Sequence, residues 1–233
     1  MKILGIDTST KFLSITLTEN EKVIFDYRYN AGRKHSVLLL GALERMLNRS
    51  NINIDNIGAF CVGLGPGSFT GMRISMSMAK AFSFGLGAGI LGIPTLDVIA
   101  HNIKENGNIS VISDARRGNV YSAFYKREND KVRRLTPYLL LDFDNWLGML
   151  NKKTFITGEA IAGNKDKLRA CNNALCLPEE FWYPGGKNLN KLAYDRILSH
   201  GHDDIAKLNP MYLYPKECQI KPQIPQIKKS KNE

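Results

Sequence analysis

Residues 63–75, Gly-Leu-Gly-Pro-Gly-Ser-Phe-Thr-Gly-Met-Arg-Ile-Ser, place four glycines (Gly63, Gly65, Gly67, Gly71) and a proline between an apolar run and a helix-like run. A strand, a glycine-rich turn and a helix start can hold a phosphate on the free N–H groups of the helix. The residues that would act on that phosphate are missing. A Walker A loop requires Gly-x-x-x-x-Gly-Lys-Ser/Thr, whereas Met72 and Arg73 follow Gly71. The dinucleotide fingerprint fails as well, because one residue too many separates Gly67 from Gly71. Two readings stay open for the loop: an anion cradle around Gly67 and Ser68, or a rigid turn that delivers a helix to a surface.

Two aspartates end apolar runs: Asp7, followed by Thr8-Ser9-Thr10, and Asp114, followed by Ala115-Arg116. Each could hold Mg²⁺ beside a nucleotide or form the turn that follows its strand. The four histidines show no His-x-x-x-His arrangement, and the four cysteines lack the paired short spacing of a zinc site. There is no Gly-x-Ser-x-Gly elbow and no protease constellation. The sequence therefore offers no catalytic set, no metal site and no cofactor motif.

These residues must be positioned by the elements around them, and the order of those elements repeats. Residues 2–7 form an apolar strand. Leu13, Ile15 and Leu17 alternate with Ser14, Thr16 and Thr18 as a half-buried strand, and Val23 to Tyr29 returns after a polar hairpin turn. Ser36 can cap a helix through Arg49, and Ile57 to Val62 forms a strand that leads into the glycine loop. The order recurs from Ser110: strands at 110–114, 120–125 and 132–135, a helical stretch at 143–150, and a strand at 154–157. The offset is 107 for Asp7/Asp114 and Leu13/Val120 and 109 for Val23/Val132, as a longer hairpin gives. The expected fold is α/β, with two related domains built on mixed sheets and the second reduced. The expected boundaries are 1–104, 105–215 and a tail at 216–233.

The chain has 233 residues, enough for one large or two modest cores, and 43% of them are hydrophobic. No run approaches the ~18 apolar residues of a membrane span. The first residues read as a strand rather than a signal peptide, so a cytoplasmic protein is expected. Of the net charge of +10, +3 lies in the Lys- and Pro-containing tail. The rest is diffuse and includes the pairs Arg116-Arg117 and Arg133-Arg134. Such a balance favours polyanions such as RNA, and the tail and these pairs are candidates for direct contact with one.

The helix after the glycine loop is apolar nearly all round: Ile74, Met78, Ala81, Phe82 and Gly85 share one face, with Met76, Ala79 and Phe84 elsewhere. The helix at 36–49 is also broadly apolar. Two such helices on one domain pack into its core or leave a surface for a protein partner.

Duplicated domains whose first hairpins carry aspartates resemble the actin, sugar-kinase and chaperone ATPase superfamily, the actin-like (ribonuclease-H-like) fold. There the hairpins read Asp-x-Gly-Thr and Asp-x-Gly and grip ATP phosphates. Here Ser9 and Arg116 stand at the glycine positions, which makes Asp7, Thr8, Ser9, Gly67, Ser68 and Asp114 a vestigial nucleotide or anion site. More specifically, Gly65-Pro-Gly-Ser-Phe-Thr-Gly-Met-Arg-Ile74, the opening Ile-Leu-Gly-Ile-Asp7-Thr8-Ser9, Lys34-His35-Ser36, Gly92-Ile-Pro94-Thr-Leu96, Asp114-Ala-Arg116-Arg-Gly118-Asn-Val-Tyr121 and Pro210-Met-Tyr212-Leu resemble the TsaB family. These are dimerisation subunits of the bacterial tRNA threonylcarbamoyladenosine complex. The resemblance implies a non-catalytic scaffold without a cofactor. It would bind and activate a TsaD-like subunit that adds threonylcarbamoyl to N6 of the tRNA adenosine 3′ of the anticodon. A TsaE-like ATPase would join them, and tRNA would be met through the complex. By that analogy Leu40, Leu43, Leu47, Ile74, Met78 and Phe82 form the partner interface, and the same face would serve a homodimer of the isolated chain. The competing expectation is a self-sufficient ATP-dependent kinase of the same superfamily.

Overall fold

The computed structural model describes residues 1–214, so the expected tail at 216–233 lies outside the described residues. The first unit runs β1 (Lys2–Asp7), β2 (Phe12–Glu19), β3 (Lys22–Asn30), α1 (His35–Ser50), β4 (Ala59–Gly63), α2 (Phe69–Leu86), β5 (Gly89–Ile93) and α3 (Thr95–Ala100). The second runs β6 (Gly107–Arg116), β7 (Asn119–Glu128), β8 (Lys131–Arg134), β9 (Leu139–Asp142), α4 (Phe143–Gly148), β10 (Thr154–Thr157), α5 (Lys165–Arg169), β11 (Ala174–Cys176) and α6 (Gly186–His200).

The two sheets repeat one topology. In the first, β1, β2 and β3 form an antiparallel meander and β4 and β5 add in parallel beside β1, giving the order β3-β2-β1-β4-β5. In the second, β6, β7 and β8 form the meander and β10 and β11 add in parallel beside β6. The second is reduced in its helices: α4 has 6 residues and α5 has 5, against 16 in α1 and 18 in α2.

Alternation on β2 sends Leu13, Ile15 and Leu17 to one face of the first sheet. There they meet Leu39, Leu43 and Met46 of α1 and Met76 and Ala79 of α2, all buried. The other face, with Ile3, Ala59, Cys61, Leu91 and Ile93, is covered by Leu189 and Ala193 of α6 and Val98 of α3. Helix α6 packs across the expected boundary. It follows the second sheet in the chain but packs on the first, because β1, β4 and β5 are apolar on both faces and one pair of helices covers only one of them. Asn190, fully buried in α6, fixes the contact: its Nδ2 donates to the carbonyls of Ile3 and Thr16, each at 3.0 Å, and to Thr18 Oγ1 at 3.2 Å.

The two units are joined through α3. Asp97 accepts hydrogen bonds from the Tyr125 and Tyr138 hydroxyls, both at 2.8 Å. Asn102, just beyond α3, donates to the carbonyls of Phe181 at 3.0 Å and Tyr183 at 2.8 Å. Arg134 lies over the Tyr138 ring, 3.9 Å from its centre.

The start of α1 also differs from expectation. Ser36 is not its cap: Lys34 precedes the helix and no side chain caps it. His35 turns inward instead, with Nε2 3.0 Å from the Thr10 carbonyl, and burial pushes its pKa down. Among the described residues no helix is long and apolar enough to cross a membrane.

Candidate functional site

Asp7 ends β1 and closes its own turn. Its Oδ1 accepts from the Ser9 amide at 2.8 Å and from Ser9 Oγ at 2.6 Å, and its Oδ2 accepts from Thr95 Oγ1 at 3.0 Å. The carboxyl is 1% exposed, and burial pushes its pKa up. Thr8 is equally enclosed, its hydroxyl donating to the Gly71 carbonyl at 2.6 Å. The glycine loop lies directly on this turn, with the Ser68 amide donating to the Ser9 carbonyl at 2.7 Å. A Cβ at Gly67 would stand 2.3 Å from the Ser9 oxygen, and one at Gly71 would stand 1.9 Å from the Thr8 oxygen. These glycines permit close approach to the protein's own backbone, and Ser68 Oγ caps α2 by accepting from the Gly71 amide at 3.2 Å.

The second hairpin is more open. Asp114 Oδ1 accepts from the Arg116 amide at 2.8 Å, and Oδ2 pairs with the Arg116 guanidinium at 3.2 Å. Arg116, Arg117 and Gly118 turn through left-handed backbone, with φ of 67°, 55° and 77°. Between the two hairpins lies a cleft of about 560 Å³. Of the residues expected in a vestigial site, Ser9, Gly67, Ser68 and Asp114 line it. Asp7 and Thr8 are corrections: they lie beneath the cleft floor, because the turn uses their oxygens internally. Sequence reading missed Lys11, Arg33 and Glu159, which also line the cleft. They sit in separate loops, and no motif links them. Burial, with Asp114 nearby, pushes the Glu159 carboxyl up. Among the described residues no group of three His, Cys, Asp or Glu side chains could hold a metal ion.

A strap closes one end of the cleft. The Met211 amide donates to the Leu64 carbonyl at 2.9 Å, and Arg73 Nε donates to the Tyr212 hydroxyl at 2.8 Å. Arg73 also lies 3.9 Å from the centre of the Phe69 ring. Two residues on, the Tyr214 hydroxyl donates to the Ala115 carbonyl at 2.7 Å, so the strap reaches the second unit.

The second candidate surface is the outer side of α1 and α2. Of the six expected interface residues, Leu40 is 62% exposed. Leu47, Ile74, Met78 and Phe82 are half-buried against the core, with Phe82 stacked on Phe60 at 5.7 Å between ring centres. Leu43 is a correction: at 2% exposure it belongs to the core, because it stands on the side of α1 that meets the sheet. The reading missed Val37 and Phe84, which are 77% and 82% exposed. Val37 and Leu40 are one turn apart on α1, a spacing visible in the sequence.

Comparisons with known proteins agree with this architecture. The family model described as TsaD, tRNA N6-adenosine threonylcarbamoyltransferase, matches residues 29–209. The tRNA threonylcarbamoyladenosine biosynthesis protein TsaB of Bacillus subtilis (strain 168) is 35% identical over 154 residues, covering 66% of this chain and 67% of that protein. The TsaB protein of Escherichia coli (strain K12) is 33% identical, covering 57% and 58%. That of Buchnera aphidicola subsp. Schizaphis graminum is 28% identical, covering 84% and 97%. Among solved structures, YeaZ from Pseudomonas aeruginosa has a TM-score of 0.76 at 21% identity, covering 91% of this chain and 99% of that one. An uncharacterized protein from the same organism, similar to peptidase YeaZ, has a TM-score of 0.79 at 22% identity over the same shares.

Proposed function

Because the chain belongs to the TsaB family of tRNA threonylcarbamoyladenosine biosynthesis proteins, we propose that it is a non-catalytic scaffold subunit of the complex that adds threonylcarbamoyl to N6 of a tRNA adenosine. In this reading it binds and activates a TsaD-type catalytic subunit, joined by a TsaE-type ATPase, and meets tRNA within that assembly. The observation that carries the proposal is that α1 exposes Val37 and Leu40, one turn apart, and α2 exposes Phe84, while Leu47, Ile74 and Met78 are only half-buried on the core. Exposed apolar groups on a helix gain free energy when a partner covers them, at about 25 cal/mol per Å². The first hairpin supports the non-catalytic part. An ATP-dependent kinase would need the Asp7 carboxylate turned toward a nucleotide, and both its oxygens are engaged by Ser9 and Thr95. In this reading the two units are 1–104 and 105–215, with α6 assigned to the first.

The test is co-expression with a TsaD-type subunit of the same organism, followed by affinity capture and sizing. Leu40→Asp combined with Phe84→Asp should abolish capture while the circular dichroism melt of the isolated chain stays unchanged, because both side chains are mostly in solvent. Capture at wild-type yield by the double variant would refute the assignment of this face.

A further inference from the structure

Four cations line the cleft between the hairpins: Lys11, Arg33, Arg116 and Arg117. Two are engaged, Lys11 by Glu179 at 3.2 Å and Arg116 by Asp114 at 3.2 Å. Arg33 and Arg117 make no ion pair or side-chain hydrogen bond among the described residues. They come from opposite walls. Arg33 stands in the loop between β3 and α1 of the first unit, and Arg117 in the turn between β6 and β7 of the second. Two uncommitted guanidinium groups facing one cavity suit an external anion, since guanidinium matches phosphate with paired donors. The aromatic rings of Phe69 and Tyr121 line the same cavity. Cations that track a backbone, interleaved with rings on which bases stack, are how proteins bind single-stranded nucleic acid.

A free nucleoside polyphosphate fits less well. Its clustered negative charge would share the cavity with the Asp114 and Glu159 carboxylates, which repel several charges at one point more than a chain of single ones. The hairpin turn that would have to approach the phosphates is instead filled by Ser9 and Thr10. A phosphodiester carries one charge per residue. We propose that the cleft binds a single-stranded stretch of RNA, with Arg33 and Arg117 contacting successive phosphates from the two walls and Phe69 or Tyr121 stacking a base. The proposal rests on the tRNA-modification reading above and assigns this subunit a direct hand in holding the RNA.

The test is fluorescence anisotropy with a labelled, unmodified tRNA transcript and the full chain, repeated over a range of salt concentrations. Arg33→Gln combined with Arg117→Asn removes both contacts, and Asn tolerates the left-handed backbone at 117. The variant should lose about fivefold to tenfold in affinity, and its plot of log K against log salt should flatten by roughly 1.4, or ~0.7 per single-strand phosphate contact. A control of equal charge, Lys22→Gln with Lys131→Gln, lies at the β2–β3 and β7–β8 hairpins, at the ends of β2 and β7 away from the cleft, and should change affinity by less than about twofold, within nonspecific electrostatics. Equal losses in the two variants, or no saturable binding by the wild-type chain, would overturn the proposal. So would complete displacement of the transcript by AMP or ATP, which would identify a free nucleotide as the ligand. Capture of the TsaD-type subunit by Arg33→Gln/Arg117→Asn, measured in parallel, separates failure of the RNA site from failure of the scaffold reading.

Discussion

Two glycines in one helix should respond in opposite directions to the same substitution. Gly85 lies near the end of α2, and a Cβ there meets nothing within 4 Å. Alanine at that position gains helix propensity, about 0.5–1 kcal/mol. Gly71 lies in the first turn of α2, where a Cβ would stand 1.9 Å from the Thr8 carbonyl oxygen. That oxygen belongs to a turn held by Asp7, so it cannot swing away as a side-chain tip could. Forcing the two backbones apart costs about 1–3 kcal/mol as overpacking. It also stretches the buried bond from Thr8 Oγ1 to the Gly71 carbonyl, worth a further ~1–3 kcal/mol if both groups are left unpaired. Against the propensity gain, Gly71→Ala should destabilise by about 3 kcal/mol. At ~2–4 °C per kcal/mol for a chain of this size, its Tm should fall by about 6–12 °C, whereas Gly85→Ala should rise by about 1–4 °C. Thermal melts followed by circular dichroism at one protein concentration give both numbers. A rise in Tm for Gly71→Ala would refute the claim that this loop is glycine-rich because it lies on the first hairpin.

Two further outcomes follow from buried groups. Asn190→Ala removes three hydrogen bonds between α6 and the first sheet and should cost about 2–4 kcal/mol, read as a lower urea midpoint; an unchanged midpoint would mean that α6 docks by apolar contact alone. His101 donates from Nδ1 to the Asp97 carbonyl at 2.7 Å, and burial pushes its pKa down from 6.5. The folded state therefore holds fewer protons than the unfolded chain, and stability present above about pH 6.5 is lost as pH falls through the lowered folded value. His101→Asn should flatten that loss in urea titrations between pH 7.5 and 5.5, leaving the share due to His35; an identical slope would show that His101 is not the group responsible. Asp7, with its pKa raised from 3.8, acts with the opposite sign, losing stability as pH rises through its folded value, and is the same in both proteins.

The repeated meander was readable because alternation on β2 and β7 and the strand-ending aspartates are local signals. The strand at Thr154–Thr157 was placed to the residue, since its polar flanks mark both ends. Helix α6 was not found: Leu189 and Ala193 are its only fully apolar core residues, and a helix so largely polar gives no stripe strong enough to name its partner. Periodicity placed Leu40 and Leu43 together, yet their burial differs because the sheet lies under only one of them. The cleft was half legible. The turns that carry Ser9 and Asp114 announce themselves, whereas Lys11, Arg33 and Glu159 are ordinary loop residues that only the tertiary fold brings together.

The return of α6 to the first sheet has a consequence for how the protein is made. Strands β1, β4 and β5 leave the ribosome with Ile3, Ala59, Cys61, Leu91 and Ile93 facing a side that Val98 of α3 covers only in part until residues 186–200 have been synthesised. The nascent chain must carry that half-covered apolar face through the synthesis of the second sheet. The first unit therefore completes its folding last although it is made first, and truncated or stalled chains are the species most exposed to aggregation.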